Sequence, residues 1–179
     1  MQSVYKEVMR RKINEQAEEL YNDMELTMNF NIEQAVRQLD GAIIVNSELD
    51  ERAEAKISST PDGHSFIIEC PKQLNIEDKN TRFAIAHEIG HLFLHMLQFN
   101  EGGYTINGNF YRGKDNSSLT EWEAEEFAAA FLMPQSIFQI EVDSVWSNES
   151  IENKISELAE KFGVPFKSII TRGKGLGIW

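Results

Sequence analysis

The sequence predicts an α+β fold: a small three-stranded, partly antiparallel sheet packed on two helices, flanked by an N-terminal helix and a C-terminal helical tail. Three observations carry that expectation. Short runs of strand type lie between Ala42 and Cys70, and long helical stretches follow from Thr81 onward, the order of an α+β domain. Thr60-Pro61-Asp62-Gly63 sits between two apolar runs, with proline and glycine where a tight turn needs them. The chain has 179 residues, enough for one sizeable core. We therefore expect one domain over 1–179, with 1–30 a helical extension and 150–179 a tail of helix-turn-helix type.

Each element follows from local chemistry. Val4, Val8, Ile13, Ala17, Leu20 and Met24 recur at helical steps, which predicts an amphipathic first helix. Asn31 offers an N-cap with Gln34 three residues on, and Asp40-Gly41 a stop, so Ile32 to Leu39 reads as a short helix. Ala42 to Val45 reads as a strand, and Ala53–Ser58 with Ser65–Cys70 as a hairpin. Thr81 to Leu97 is a strong helix, 98–116 a long glycine-containing loop, and Ser118 to Met133 a second strong helix ended by Pro134. Helix is expected again from Pro134 to about Trp146 and from Ile151 to Phe162. Gly163 is then a stop and Pro165 the start of a last short helix.

Composition narrows the class. The longest uninterrupted apolar run, Phe127 to Met133, is too short to span a bilayer, and the N-terminal stretch lacks the apolar block of a secretory signal. A lone Cys70 fits a reducing compartment, so a cytoplasmic location is expected. The net charge of −12 argues against nucleic acid or an anionic membrane surface as a partner. From Lys161 to Trp179 four basic residues stand without an acid. That segment is either an interaction tail or a lysine-decorated helix end.

Three of the four histidines fall in His87-Glu88-Ile89-Gly90-His91-Leu92-Phe93-Leu94-His95. On a helix, residues four apart lie one turn above each other, so His87 and His91 can aim two imidazoles at one point. Imidazole suits zinc, which lowers the pKa of a bound water to about 7 and polarises a carbonyl, and Glu88 can take that water's proton. In a chain of this composition the motif is expected by chance about 0.01 times. The flanks (Phe83 to Ala86, Ile89, Leu92 to Leu94) are apolar, and a buried group of two histidines and a glutamate is costly unless a metal holds it.

A third ligand is needed. His95 lies one more turn along, but helical drift of roughly 40° per four residues places it poorly, and a supporting or helix-end role suits it better. Leu94 and Leu97 stand where the metzincin pattern needs glycine and histidine, which excludes that class. In Glu121-Trp122-Glu123-Ala124-Glu125-Glu126-Phe127-Ala128, Glu121 lies about 60° from the centre of the apolar face, and Glu123 and Glu125 about 100° away on opposite sides. Glu121 is thus the best-aimed carboxylate and Glu123 the runner-up. Glu125 is a candidate for supporting a ligand histidine. The competing reading of Glu121 is a capping box closed with Ser118.

At these residues the chain resembles the ImmA/IrrE family of zinc metallopeptidases. The resemblance rests on Arg82 to His95 together with Glu121-x-Glu123-Ala124-x-x-Phe127-Ala128-Ala129-x-x-Leu132-Met133-Pro134, and weakly on Leu158 to Val164 and Leu176-Gly177. It implies a gluzincin-like site: His87, His91 and Glu121 holding Zn2+, and Glu88 as general base. Glu125 stands where members more often carry Asn or Asp. The resemblance also implies an edge strand that pairs with an extended substrate, here Ser65, Phe66, Ile67, Ile68, Glu69 and Cys70. The implied activity is endoproteolysis of a DNA-binding repressor from a mobile element or stress response. Tyr104 and Tyr111, in the loop over 98–116, are candidate oxyanion donors. The alternative is a catalytically quiet, zinc-stabilised regulatory module that binds protein or DNA through its tail. An intact Glu88 argues against it.

Overall fold

The computed structural model describes residues 2–49, 55–71, 75, 78–101, 103–107, 109–110, 118–144 and 150–179. By backbone contacts the chain divides into two compact units: 31–125, and 1–30 with 126–179.

The unit over 31–125 begins with α2 (Ile32–Gln38; α1 belongs to the other unit), capped as expected by the Asn31 side chain, which accepts from the Gln34 N–H at 2.9 Å. Strands β1 (Gly41–Asn46), β2 (Lys56–Ser59), β3 (Phe66–Pro71) and the two-residue β6 (Asn109–Phe110) form a sheet in the order β1-β3-β2-β6. β1 runs parallel to β3, with Gly41 opposite Phe66, whereas β2 is antiparallel to both β3 and β6. The sheet is therefore mixed, three strands plus a short fourth. Its hairpin turn closes as the sequence predicts: Thr60 N–H donates to the Ser65 carbonyl, and Gly63 takes a φ of +70°. Ala53 and Glu54 of the expected first hairpin strand lie outside the described residues.

Phe66, Ile68 and Cys70 alternate inward along β3, and Ile57 joins them from β2. Helix α3 (Lys79–His91) starts at Asp78, whose side chain accepts from the Asn80 and Thr81 N–H groups. From Ala84 to His91 every residue of α3 is buried, so little of this helix meets solvent. It ends six residues earlier than the expected Leu97. A π-helical turn, Leu92–Met96, follows, in which Leu97 N–H donates to Leu92 O, five residues back. The expected loop over 98–116 instead opens with a hairpin, β4 (Leu97–Asn100) against β5 (Gly103–Ile106). Helix α4 (Ser118–Leu132) supplies residues 118–125 to this unit.

The second unit is helical: α1 (Gln2–Asp23), the rest of α4, α5 (Gln135–Ser144), α6 (Ile151–Phe162) and α7 (Phe166–Gly175). Ile13, Ala17 and Tyr21 of α1 are buried, and Tyr21, Phe30, Phe131 and Phe127 pack ring on ring. The expected apolar face of α1 is only half used, for Val4 is 65% exposed. Trp146, the expected end of α5, lies outside the described residues. Gly163 caps α6 in the left-handed region at φ +61°. The tail's basic residues are partly consumed within the unit. Lys161 reaches Glu141 at 2.9 Å, and Arg172 is buried, donating to Met133 O and Asn14 Oδ1.

Candidate metal centre

Two helices of the 31–125 unit bring three ligand-type side chains to one point. His87 and His91, one turn apart on α3, face each other through Nε2 at 3.0 Å. The Glu121 carboxylate, in the first turn of α4, approaches them with Oε2 at 3.3 Å from His87 Nε2 and Oε1 at 3.6 Å from His91 Nε2. These three form a group able to hold a metal ion. The spacing has a physical reading. Ligand bonds of about 2.1 Å arranged tetrahedrally put donor atoms roughly 3.4 Å apart. The His87–His91 spacing of 3.0 Å and the nearest Glu121 oxygens at 3.3 and 3.6 Å lie near that value, and one donor atom from each residue falls within 4.8 Å of the others. Two neutral imidazoles and one carboxylate are also the donors of an open site that keeps a fourth position for water or substrate. The residues present therefore fit a divalent metal.

Glu88 follows His87 on α3 and is buried. The Cys70 thiol of β3 is pushed up to about 11, first by burial and second by the negative charge of Glu88. Glu88 is thus a buried acid–base group next to His87 in the chain.

The remaining expectations divide. Glu123 is buried and turns to His95, with Oε2 3.1 Å from His95 Nε2, so it stands away from the His87–His91–Glu121 group. His95 in turn lies with Nδ1 3.0 Å from Nδ1 of His91. Glu125, expected to support a ligand histidine, is exposed. The reason is rotational: on α4, Glu123 and Glu125 lie on opposite flanks of the apolar face, and it is the Glu123 flank that meets the π turn. The capping alternative for Glu121 involves the side chain of Ser118, which lies outside the described residues, as does Tyr111. Tyr104 is described, 41% exposed on β5.

The substrate strand needs correction. Ser65 precedes β3, and β3 itself is interior, bonded to β1 on one side and β2 on the other. The main-chain donors and acceptors of residues 66–69 are already engaged in two ladders, so these residues cannot add a third strand. The outer ladders of this sheet belong to β1 and β6. No periodicity argument ranks strands within a sheet, because the parallel β1–β3 pairing is a long-range choice.

Sequence reasoning also missed the π turn and the β4–β5 hairpin. The hairpin had a signal: Phe99 and Tyr104 flank a Gly-containing connection, and they pair directly across it. The π turn had none.

A family model described as the IrrE N-terminal-like domain, of the M78 peptidases, matches residues 63–173. Among solved structures the chain is similar to a Mycobacterium tuberculosis transcriptional regulator at 15% identity and a TM-score of 0.59. The match covers 93% of this chain and 50% of that one, so the chain spans about half that protein's length. At this identity the likeness is one of fold. No curated protein matches.

Proposed function

The chain belongs to the IrrE N-terminal-like family of peptidases, and from that premise we propose that it is a zinc-dependent endopeptidase acting on one protein substrate. The observation that carries the proposal is the convergence of His87, His91 and Glu121, one donor atom from each lying within 4.8 Å of the others, with buried Glu88 next to His87 in the chain. Zinc held there supplies a Lewis acid for the scissile carbonyl and acidifies a water. The chain's own chemistry then rests on Glu88. Its carboxylate accepts the proton of the attacking water as the new C–O bond forms. It returns that proton to the amide nitrogen as the C–N bond breaks. His87, His91 and Glu121 hold the metal; Glu88 moves the proton.

The family resemblance suggests a DNA-binding repressor as substrate, cut in the cytoplasm. The fold likeness to a protein named as a transcriptional regulator is compatible with work in that setting. No helix among the described residues is long and apolar enough to cross a membrane. An extended substrate segment would pair with an outer ladder, β1 or β6, since β3 is enclosed. The alternative, a quiet module acting on DNA through α6 and α7, is weakened by the engagement of Lys161 and Arg172 inside their own unit.

The test is incubation with a repressor encoded beside this protein, with and without chelator, read by intact mass. The parent chain should give two fragments whose masses sum to the substrate plus water, chelator should stop the reaction, and Glu88→Gln should keep its metal yet cut at least about 100-fold more slowly. Cleavage by Glu88→Gln at the parent rate overturns the assignment.

A further inference from the structure

We propose that His95 and Glu123 form a positioning relay that fixes the ring and tautomer of His91 and so tightens metal binding, an inference resting on the metal reading above.

The two ring nitrogens of His91 face different partners. Nε2 of His91 faces His87 and Glu121, so as a ligand it offers its lone pair and carries no proton. The proton of the neutral ring then sits on Nδ1, which lies 3.0 Å from Nδ1 of His95. His91 donates there, so Nδ1 of His95 must accept. The proton of His95 is left on Nε2, which donates to Glu123 Oε2 at 3.1 Å. A single directed chain results, Glu123 to His95 to His91, anchored on a carboxylate and leaving no choice of tautomer at any step. Such outer partners orient a ligand histidine and raise its basicity.

His95 lies within the π turn Leu92–Met96, one turn beyond His91, and there the two Nδ1 atoms meet at 3.0 Å. Both relay side chains are nearly enclosed, at 12% exposure for His95 and 10% for Glu123, so water competes little for these bonds.

Zinc affinity by competition with a chromophoric chelator, and the visible spectrum of the cobalt(II)-loaded protein, test the relay on the full chain. His95→Leu should lose about tenfold or more in zinc affinity and change the cobalt spectrum. His95→Gln, whose amide can accept from His91 and donate to Glu123, should stay within about threefold of the parent. Glu123→Gln should fall between them, and the double variant His95→Leu/Glu123→Gln should bind no more weakly than His95→Leu alone, because Glu123 acts through His95. Parent-like affinity and spectrum in His95→Leu, equal loss in His95→Gln and His95→Leu, or additive losses in the double variant would overturn the relay. The parent chain separates the two failures. If it binds no zinc the metal reading falls and the relay with it; if it binds and His95→Leu matches it, only the relay falls.

Discussion

His91 shows how much one residue's neighbours decide. Its sequence position makes it a ligand candidate, yet only its two partners give its nitrogens different settings, Nε2 toward His87 and Nδ1 toward His95. Cys70 is a second case. As a lone cysteine it only fitted a reducing compartment; on β3 it becomes a buried thiol, with its pKa pushed up to about 11 by burial first and by the charge of Glu88 second. The sign is clear. Between about 9 and 11 the unfolded chain loses this proton and the folded chain keeps it, so its contribution to stability falls as pH rises through that window. In the metal-free folded protein Cys70 should react with iodoacetamide at pH 8 at least about 100-fold more slowly than in urea, because little thiolate forms and little is accessible. Labelling at the urea rate contradicts the burial described.

Elements were legible where the signal is local. The Asn31 cap, the Thr60–Gly63 turn and the Gly163 stop are written in single side chains, and each appears at its expected place. The end of α3 was not legible, since the sequence continues apolar through Leu97 and nothing in it favours a π turn over an α turn. Two glycines report on the packing of these elements. A Cβ on Gly41 would come within 2.2 Å of the buried Phe66 ring across the β1–β3 ladder. Gly41→Ala should therefore cost about 1–3 kcal/mol in denaturant unfolding. Gly163→Ala places a side chain at φ +61° and should cost about 1–2 kcal/mol. Unchanged midpoints would mean that β1 and α6 are held differently.

At the scale of the whole chain the three candidate metal donors belong to one compact unit, 31–125. Zinc at about 100 times its dissociation constant should stabilise that unit by about 2.7 kcal/mol, since an ion that binds only the folded state shifts unfolding by mass action. In a chain of this size that is a rise in melting temperature of roughly 5–10 °C, absent in His87→Ala. An equal rise in that variant would locate zinc elsewhere. The charge of −12 and the engagement of Lys161 and Arg172 predict that added duplex DNA leaves both melting curves unchanged.

The sequence by itself determined the α+β class, most element positions, and the shared helix face of His87 and His91, because helical spacing and caps are short-range rules; Glu121 was its best-aimed carboxylate, with Glu123 left as runner-up. Only the tertiary structure decided that β3 is enclosed, that Glu123 rather than Glu125 turns to the histidines, and that His95 reaches His91. Those outcomes depend on which strands pair and how two helices are rotated against each other. Both are set by packing between residues far apart in the chain, which no local pattern encodes.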